Sequence, residues 1–201
     1  MDPSQGQRVK QVIGVGDMRV SNNVADTLIT YALGSCLGVV AYDPVAKVGG
    51  LLHVMLPIST IDPAKAAKNP CMFVDTGVPN LFHECYQAGA QKGRMVVKVA
   101  GGAATQGAWE GDIFEIGKRN ITMLRKLLWA NGVLLKAQDV GGTEPRTMSV
   151  DVATGEVVGT YRLQTGPRAA ARRGYYSATE FDLSPLENFR PQIVELGRAC
   201  V

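Results

Sequence analysis

The sequence predicts an α+β fold in which strands outnumber helices. Three patterns carry that prediction: four apolar, strand-like runs in the first 57 residues, two stretches of helical spacing further on, and a hairpin near residues 147–163. Gln11 to Val20 alternates loosely (Val12, Val15, Met18, Val20) and reads as an opening strand that stops near Ser21-Asn22-Asn23. Leu28 to Leu33 is a second apolar run, broken by Gly34-Ser35. Leu37 to Tyr42 is a third, closed by a turn at Asp43-Pro44. Val48 to Leu56 is a fourth, stopped by Pro57, and its unbroken apolar character predicts a strand covered on both faces.

Helical spacing follows. In Asp75 to Ala90, Val78, Leu81, Phe82 and Cys85 fall at i, i+3, i+4 and i+7, with Thr76 suited to the cap, Pro79 to the first turn and Gly89 to the stop. The segment before it, Ile61 to Pro70, is polar and reads as a loop lining the substrate approach. Arg94 to Ala100 predicts a strand that runs into the glycine-rich Gly101 to Gly111. A second helix spans about Lys118 to Ala130, with Ile121, Leu124 and Leu128 on one face and Asn131-Gly132 at its end. Val133 to Val140 is a strand, and Thr147 to Val152 with Glu156 to Leu163 forms a hairpin around Ala153-Thr154-Gly155. The chain thus divides into a domain over 1–164 and a C-terminal extension over 165–201, partly ordered or packed on the domain, where Arg168, Arg172 and Arg173 cluster without any clear period.

Composition narrows the function classes. The 201 residues are 46% hydrophobic and 19% charged, which fits one globular domain with an appendage rather than a disordered chain. A formal charge of +3 argues against a dedicated nucleic-acid binder, and two histidines exclude a His-rich metal centre. The first seven residues lack the basic and apolar regions of a signal peptide. The longest uncharged stretch, Thr27 to Tyr42, falls short of the ~20 apolar residues of a membrane helix. Cysteines 36, 71, 85 and 200 form no C-x-x-C pair. The expectation is a soluble cytoplasmic protein with free thiols.

Most of the reactive residues have bland explanations. Gly14-Val15-Gly16 lacks the third glycine of a dinucleotide fingerprint, and Gly101-Gly102-Ala103-Ala104-Thr105-Gln106-Gly107 lacks the lysine of a P-loop, so both read as tight turns. His83 and Cys85 sit two apart on a helix and point about 200° apart, so they cannot share a metal. Cys85 belongs to the apolar face, His83 to solvent, and Cys71 and Cys200 are plain thiols. Cys36 and His53 remain. Cys36 follows a sharp break at Gly34, where exposed amides near Ser35 and Cys36 suit an oxyanion. His53 lies in an otherwise apolar strand that the Asp43-Pro44 turn returns beside the preceding one, and a buried imidazole needs a partner. Spacing alone leaves two readings open, a catalytic pair and an inert core pair.

Thr30-x-x-Leu33-Gly34-Ser35-Cys36, followed by Gly49-Gly50-x-x-His53-x-Met55-Leu56-Pro57, resembles the CheD family of chemoreceptor glutamine deamidases. Lys98 with Gly101-Gly102-Ala103, Ile116-Gly117-x-Arg119-Asn120, and Asp139-Val140-Gly141-Gly142 match in the same order, so the resemblance covers roughly residues 10–163. It implies a mixed β-sandwich with flanking helices (layered α/β/β), similar to the deamidating domain of cytotoxic necrotizing factor toxins. It implies Cys36 as nucleophile, His53 as general acid/base and Thr30 as the residue orienting His53, with no cofactor or metal. The implied substrates are glutamines of methyl-accepting chemotaxis receptors, converted to glutamate with release of ammonia. A CheC-type phosphatase is the implied second partner. Pairing with His53 is expected to favour a thiolate–imidazolium pair, since a free cysteine of pKa near 8.5 is only a few per cent thiolate at neutral pH. Two alternatives share the site: receptor methyl-ester hydrolysis through the same thioester, and a regulatory binding module for a CheC-type protein.

Overall fold

The computed structural model describes residues 8–104, 115–162 and 171–175. Among these, ten strands form two five-stranded sheets. One runs β1 (Val9–Ile13), β3 (Asp26–Leu33), β8 (Arg146–Asp151), β9 (Val157–Arg162), β10 (Ala171–Tyr175). The other runs β2 (Asp17–Ser21), β5 (Val48–Val54), β4 (Leu37–Asp43), β6 (Val96–Gly101), β7 (Leu135–Val140). The pairs β1–β3 and β6–β7 are parallel and the rest antiparallel. Three α-helices accompany them: α1 (Pro63–Lys68), α2 (Val74–Gln87) and α3 (Ile116–Ala130). The α+β expectation holds. None of the described helices is long and apolar enough to cross a membrane.

The layers follow from strand alternation. Leu37, Val39 and Ala41 of β4 and Leu52 and Val54 of β5 face the helices, packing with Val78, Leu81, Phe82, Leu124 and Leu128. Val40, Tyr42 and Leu51 face the other sheet, against Leu28, Met148 and Val150. Both strands are therefore buried along their whole length, as the unbroken apolar run at 48–56 predicts. At roughly 1.5–3 kcal/mol for each fully buried aliphatic side chain, the β4–β5 hairpin is a firm platform for whatever stands at its end.

Several elements differ from the sequence expectation. The single opening strand is two strands in different sheets. The chain reverses at Gly14–Gly16, where Asp17 N–H donates to the Gly14 carbonyl, Gly16 N–H donates to the His53 carbonyl, and Gly16 takes φ +69°. Alternation continued across the reversal and hid it. Helix α2 starts at Val74 with Phe73 as its cap residue. Thr76 does not cap it, because its hydroxyl donates to the Pro70 carbonyl, and Pro79 lies in the second turn. Gly89, at φ +104°, ends that helix as expected. Residues 59–68 are not a polar loop. A short 3-10 turn over Ser59–Ile61 leads into α1, which Asp62 caps by accepting from the Lys65 amide with Pro63 at the first position. Asp-Pro before an Ala/Lys run is a helix start that the polar composition masked. Of the extension over 165–201, residues 171–175 pair antiparallel with β9; Arg168 and the remainder lie outside the described residues, as does Cys200.

Candidate active site

Strand register brings three sequence-predicted residues to one place. In the β4–β5 pair, Leu37 stands opposite Val54 and Gly38 opposite His53. His53 shares the inter-sheet side with Leu51, and Cys36, two residues before Gly38, packs against the inter-sheet cluster. Cys36 is thus the diagonal cross-strand neighbour of His53. Thr30 comes from the opposite sheet, on the same side of β3 as Leu28. Gly38 makes room for the convergence, since a Cβ there would press on Leu33, Met148 and Thr30. The strand break expected at Gly34 begins earlier. A bulge after Thr30 sets two residues of β3 against one of β8, and Ala32 adopts φ +57°. Gly34 N–H then donates to the Ala32 carbonyl at 2.9 Å, and the chain turns into β4.

The hydrogen bonds around His53 fix its protonation pattern. The Thr30 hydroxyl donates to the Ile13 carbonyl at 2.8 Å, which uses its single hydrogen. Its contact with His53 Nδ1 at 2.7 Å must therefore have Nδ1–H as donor. The lone pair then sits on Nε2, which is buried and has no hydrogen-bond partner among the described residues. The ring is 1% exposed, and burial lowers its pKa. Burial raises the pKa of the Cys36 thiol, only partly offset by its own backbone amide. Both directions favour neutral forms. Desolvation is the leading cause of both shifts, because burial penalises the charged form of each group.

The turn carrying Cys36 is held by every carbonyl it has. Gly102 N–H donates to the Cys36 carbonyl and Ala103 N–H to that of Gly34, both at 2.8 Å. Asn120 Nδ2 donates to the Ser35 carbonyl at 3.0 Å and to the Met55 carbonyl at 2.9 Å. Gly101, at φ +113°, lies so close that a Cβ would collide with the Cys36 carbonyl oxygen. The glycine loop at 101–104 is thus a packing device against the turn, as the bland reading has it; Thr105 to Gly111 lie outside the described residues. Among the described residues the Ser35 amide donates to no partner. A half-buried ion pair, Arg146 to Asp139 at 3.0 Å, ties the two sheets together near this end.

The other candidates stay apart. His83 is exposed and Cys85 buried, its thiol pushed up to about 12 by burial and then by Glu84. Cys71 is half-buried and its pKa is raised by burial. Beside the site, Pro57, Ile58 and Ile61 face Lys118, Arg119 and Met123 across a cleft of about 400 Å³, so only the first residue of the 61–70 segment lines it. Sequence reasoning did not single out Asn120 except as part of a motif. Its signal is a fully buried amide on the stripe that Gly117, Leu124, Leu127 and Leu128 otherwise occupy.

A family model described as CheD chemotactic sensory transduction matches residues 55–160, beginning two residues beyond His53. A second, an acetyltransferase (GNAT) domain, matches residues 146–201, most of which lie outside the described residues. The chain is 52% identical over 146 residues to "Probable chemoreceptor glutamine deamidase CheD 1" of Syntrophus aciditrophicus, covering 73% of this chain and 90% of that protein. It is 47% identical over 146 residues to "Probable chemoreceptor glutamine deamidase CheD" of Solibacter usitatus, covering 73% and 85%. It is also 39% identical over 150 residues to the protein of the same name from Pyrococcus abyssi, covering 72% and 87%. With relatives this similar matched over most of their length, and the family model matching more than half of the chain, the chain belongs to the CheD family.

Proposed function

We propose that this chain is a cytoplasmic protein-glutamine deamidase that converts glutamines of methyl-accepting chemotaxis receptors to glutamate, regulating chemotactic adaptation. The observation that carries the reading is the Thr30–His53 hydrogen bond, which leaves Nε2 without a partner among the described residues, on the same inter-sheet side as Cys36. Family membership supports the substrate, since the relatives are named chemoreceptor glutamine deamidases. The likeness to the deamidating domain of cytotoxic necrotizing factor toxins belongs to the same reading, as does a CheC-type phosphatase as second partner.

The chemistry starts from the neutral pair. His53 Nε2 takes the thiol proton as Cys36 Sγ attacks the glutamine δ-carbonyl, so charge appears only as the bond forms. The tetrahedral oxyanion is met by the amides of Ser35 and Cys36. Collapse breaks the C–N bond while Nε2–H protonates the leaving nitrogen, and ammonia departs from a thioester. Water then gives a proton to Nε2 and attacks the same carbon, and the Cys36 thiolate leaves and recovers that proton. The net change is amide plus water to carboxylic acid plus ammonia. Thr30 keeps Nδ1 protonated throughout without adding a negative charge.

Incubation with purified receptor cytoplasmic fragments tests this reading. Wild-type protein is expected to release ammonia and to give a one-dalton gain at specific glutamines, and Cys36→Ala is expected to give neither. Equal mass shifts from both proteins overturn the mechanism. Methanol release from methylated fragments without any ammonia from amidated ones assigns the site to ester hydrolysis instead.

A further inference from the structure

We infer that Asn120 is a positioning residue for the Cys36–His53 pair, an inference that rests on the deamidase reading above. Asn120 belongs to α3, outside both strands that carry the pair, and it is fully buried. Its two amide hydrogens serve two carbonyls: Ser35, which immediately precedes the nucleophile, and Met55, two residues beyond His53. Both partners are acceptors, so the orientation of the amide group follows from chemistry, with Nδ2 toward the site's backbone. One side chain therefore pins the turn of Cys36 and the exit of the His53 strand to the same point.

The other half of the side chain argues against a purely structural role. Asn120 Oδ1 is buried with no hydrogen-bond partner among the described residues, and a stranded polar atom is costly inside a protein. An apolar side chain would fill this position on the stripe of α3 without that penalty, but it would leave the two carbonyls unheld. The ladder does not replace the link, because strand pairing ends at Leu37 opposite Val54, before either Ser35 or Met55. Beyond the last rung, the spacing of Cys36 to His53 depends on what bridges the two chain exits. Asn120 is that bridge.

Asn120 does not touch the substrate in this scheme, so Asn120→Ala is expected to lower kcat by about 100-fold, the cost of roughly 1 Å of misplacement, with KM nearly unchanged. A structural role alone would lower stability without that split, so kcat is referred to the folded fraction from a circular-dichroism melt. The second readout is the alkylation rate of Cys36 by iodoacetamide between pH 6 and 8, followed by mass spectrometry of its peptide. Asn120→Ala is expected to slow it to the rate of His53→Ala, and to add no further loss in the His53→Ala background. Independent, additive losses overturn the proposal, as do wild-type kcat and alkylation in the folded variant. If Asn120→Ala does not fold, Asn120→Asp, which keeps the volume and replaces the donor with an acceptor, is measured in the same way. Failure of both to fold overturns the proposal in favour of a purely structural residue. Retained deamidation in Cys36→Ala sinks the deamidase reading itself, whereas its loss together with a normal Asn120→Ala sinks only the positioning role.

Discussion

Replacing Thr30 with valine keeps the shape of the side chain and removes only its hydroxyl. Two buried groups then lose a partner, the His53 Nδ1–H and the Ile13 carbonyl. Each stranded buried group costs about 1–3 kcal/mol, so the pair is expected to cost about 2–6 kcal/mol. For a chain of this size that lowers Tm by roughly 4–24 °C. The catalytic loss is separate. Without its acceptor, the ring is free to carry its proton on Nε2 or to turn, and restoring the productive form in the transition state is worth about 1.4–2.8 kcal/mol, or 10–100-fold in kcat. Thr30→Ser keeps the hydroxyl and is expected to retain most activity while losing packing against Gly38. Ammonia release at saturating receptor fragment, at a temperature where both variants are folded, measures the difference. If Thr30→Val stays within about twofold of wild type in kcat, the tautomer argument is wrong.

Three other perturbations follow from the same geometry. Burial holds the His53 pKa below its ordinary value of about 6.5, so on acidification the unfolded chain binds the proton first and stability falls as pH drops below that value. Urea midpoints between pH 7 and 5 are expected to fall more for wild type than for His53→Gln, and equal slopes would remove His53 as the cause. Gly101→Ala forces a Cβ onto the Cys36 carbonyl at an unfavourable φ and is expected to cut kcat about 100-fold by displacing the turn; wild-type kinetics would show that the contact is slack. At the other end of β4, burial alone would raise the Asp43 carboxyl, but Arg94 and the amides of Ala46, Gln91 and Val45 outweigh it and hold the pKa at about 2. Arg94→Met is expected to cost about 3 kcal/mol in chemical denaturation, since three amides stay with the carboxylate, and a change under 1 kcal/mol would show the ion pair to be dispensable.

Much of the platform was legible because it rests on local pattern. The apolar runs of β3, β4 and β5, the spacing of Val78, Leu81, Phe82 and Cys85, and the turn at Thr154-Gly155 each announce their element within a few residues. Cys36 and His53 stood out by elimination and by motif, and their convergence follows from one hairpin. What stayed hidden depends on contacts between distant segments. The Ile13 carbonyl that commits the Thr30 hydroxyl, and with it the tautomer of His53, comes from a strand whose separate existence depends on a turn at Gly16. Asn120 reads locally as a neutral interruption of an amphipathic helix, and only the fold shows what it reaches. The burial that raises the Cys36 pKa and lowers that of His53 depends on the whole fold, which no spacing discloses.

The order in which these parts are made has a consequence for the cell that makes them. Thr30, Cys36 and His53 are synthesised early, but the amides of Gly102 and Ala103, the Asn120 clamp and the β8 strand that flanks β3 all emerge later. At translation speeds of about 5–20 residues per second, Cys36 and His53 spend several seconds in a chain that lacks the pieces needed to align them. Long-range pairings of this kind also form late in folding. A nascent or half-folded copy therefore carries Cys36 and His53 without the contacts that align them, so on the proposed mechanism activity requires the complete domain.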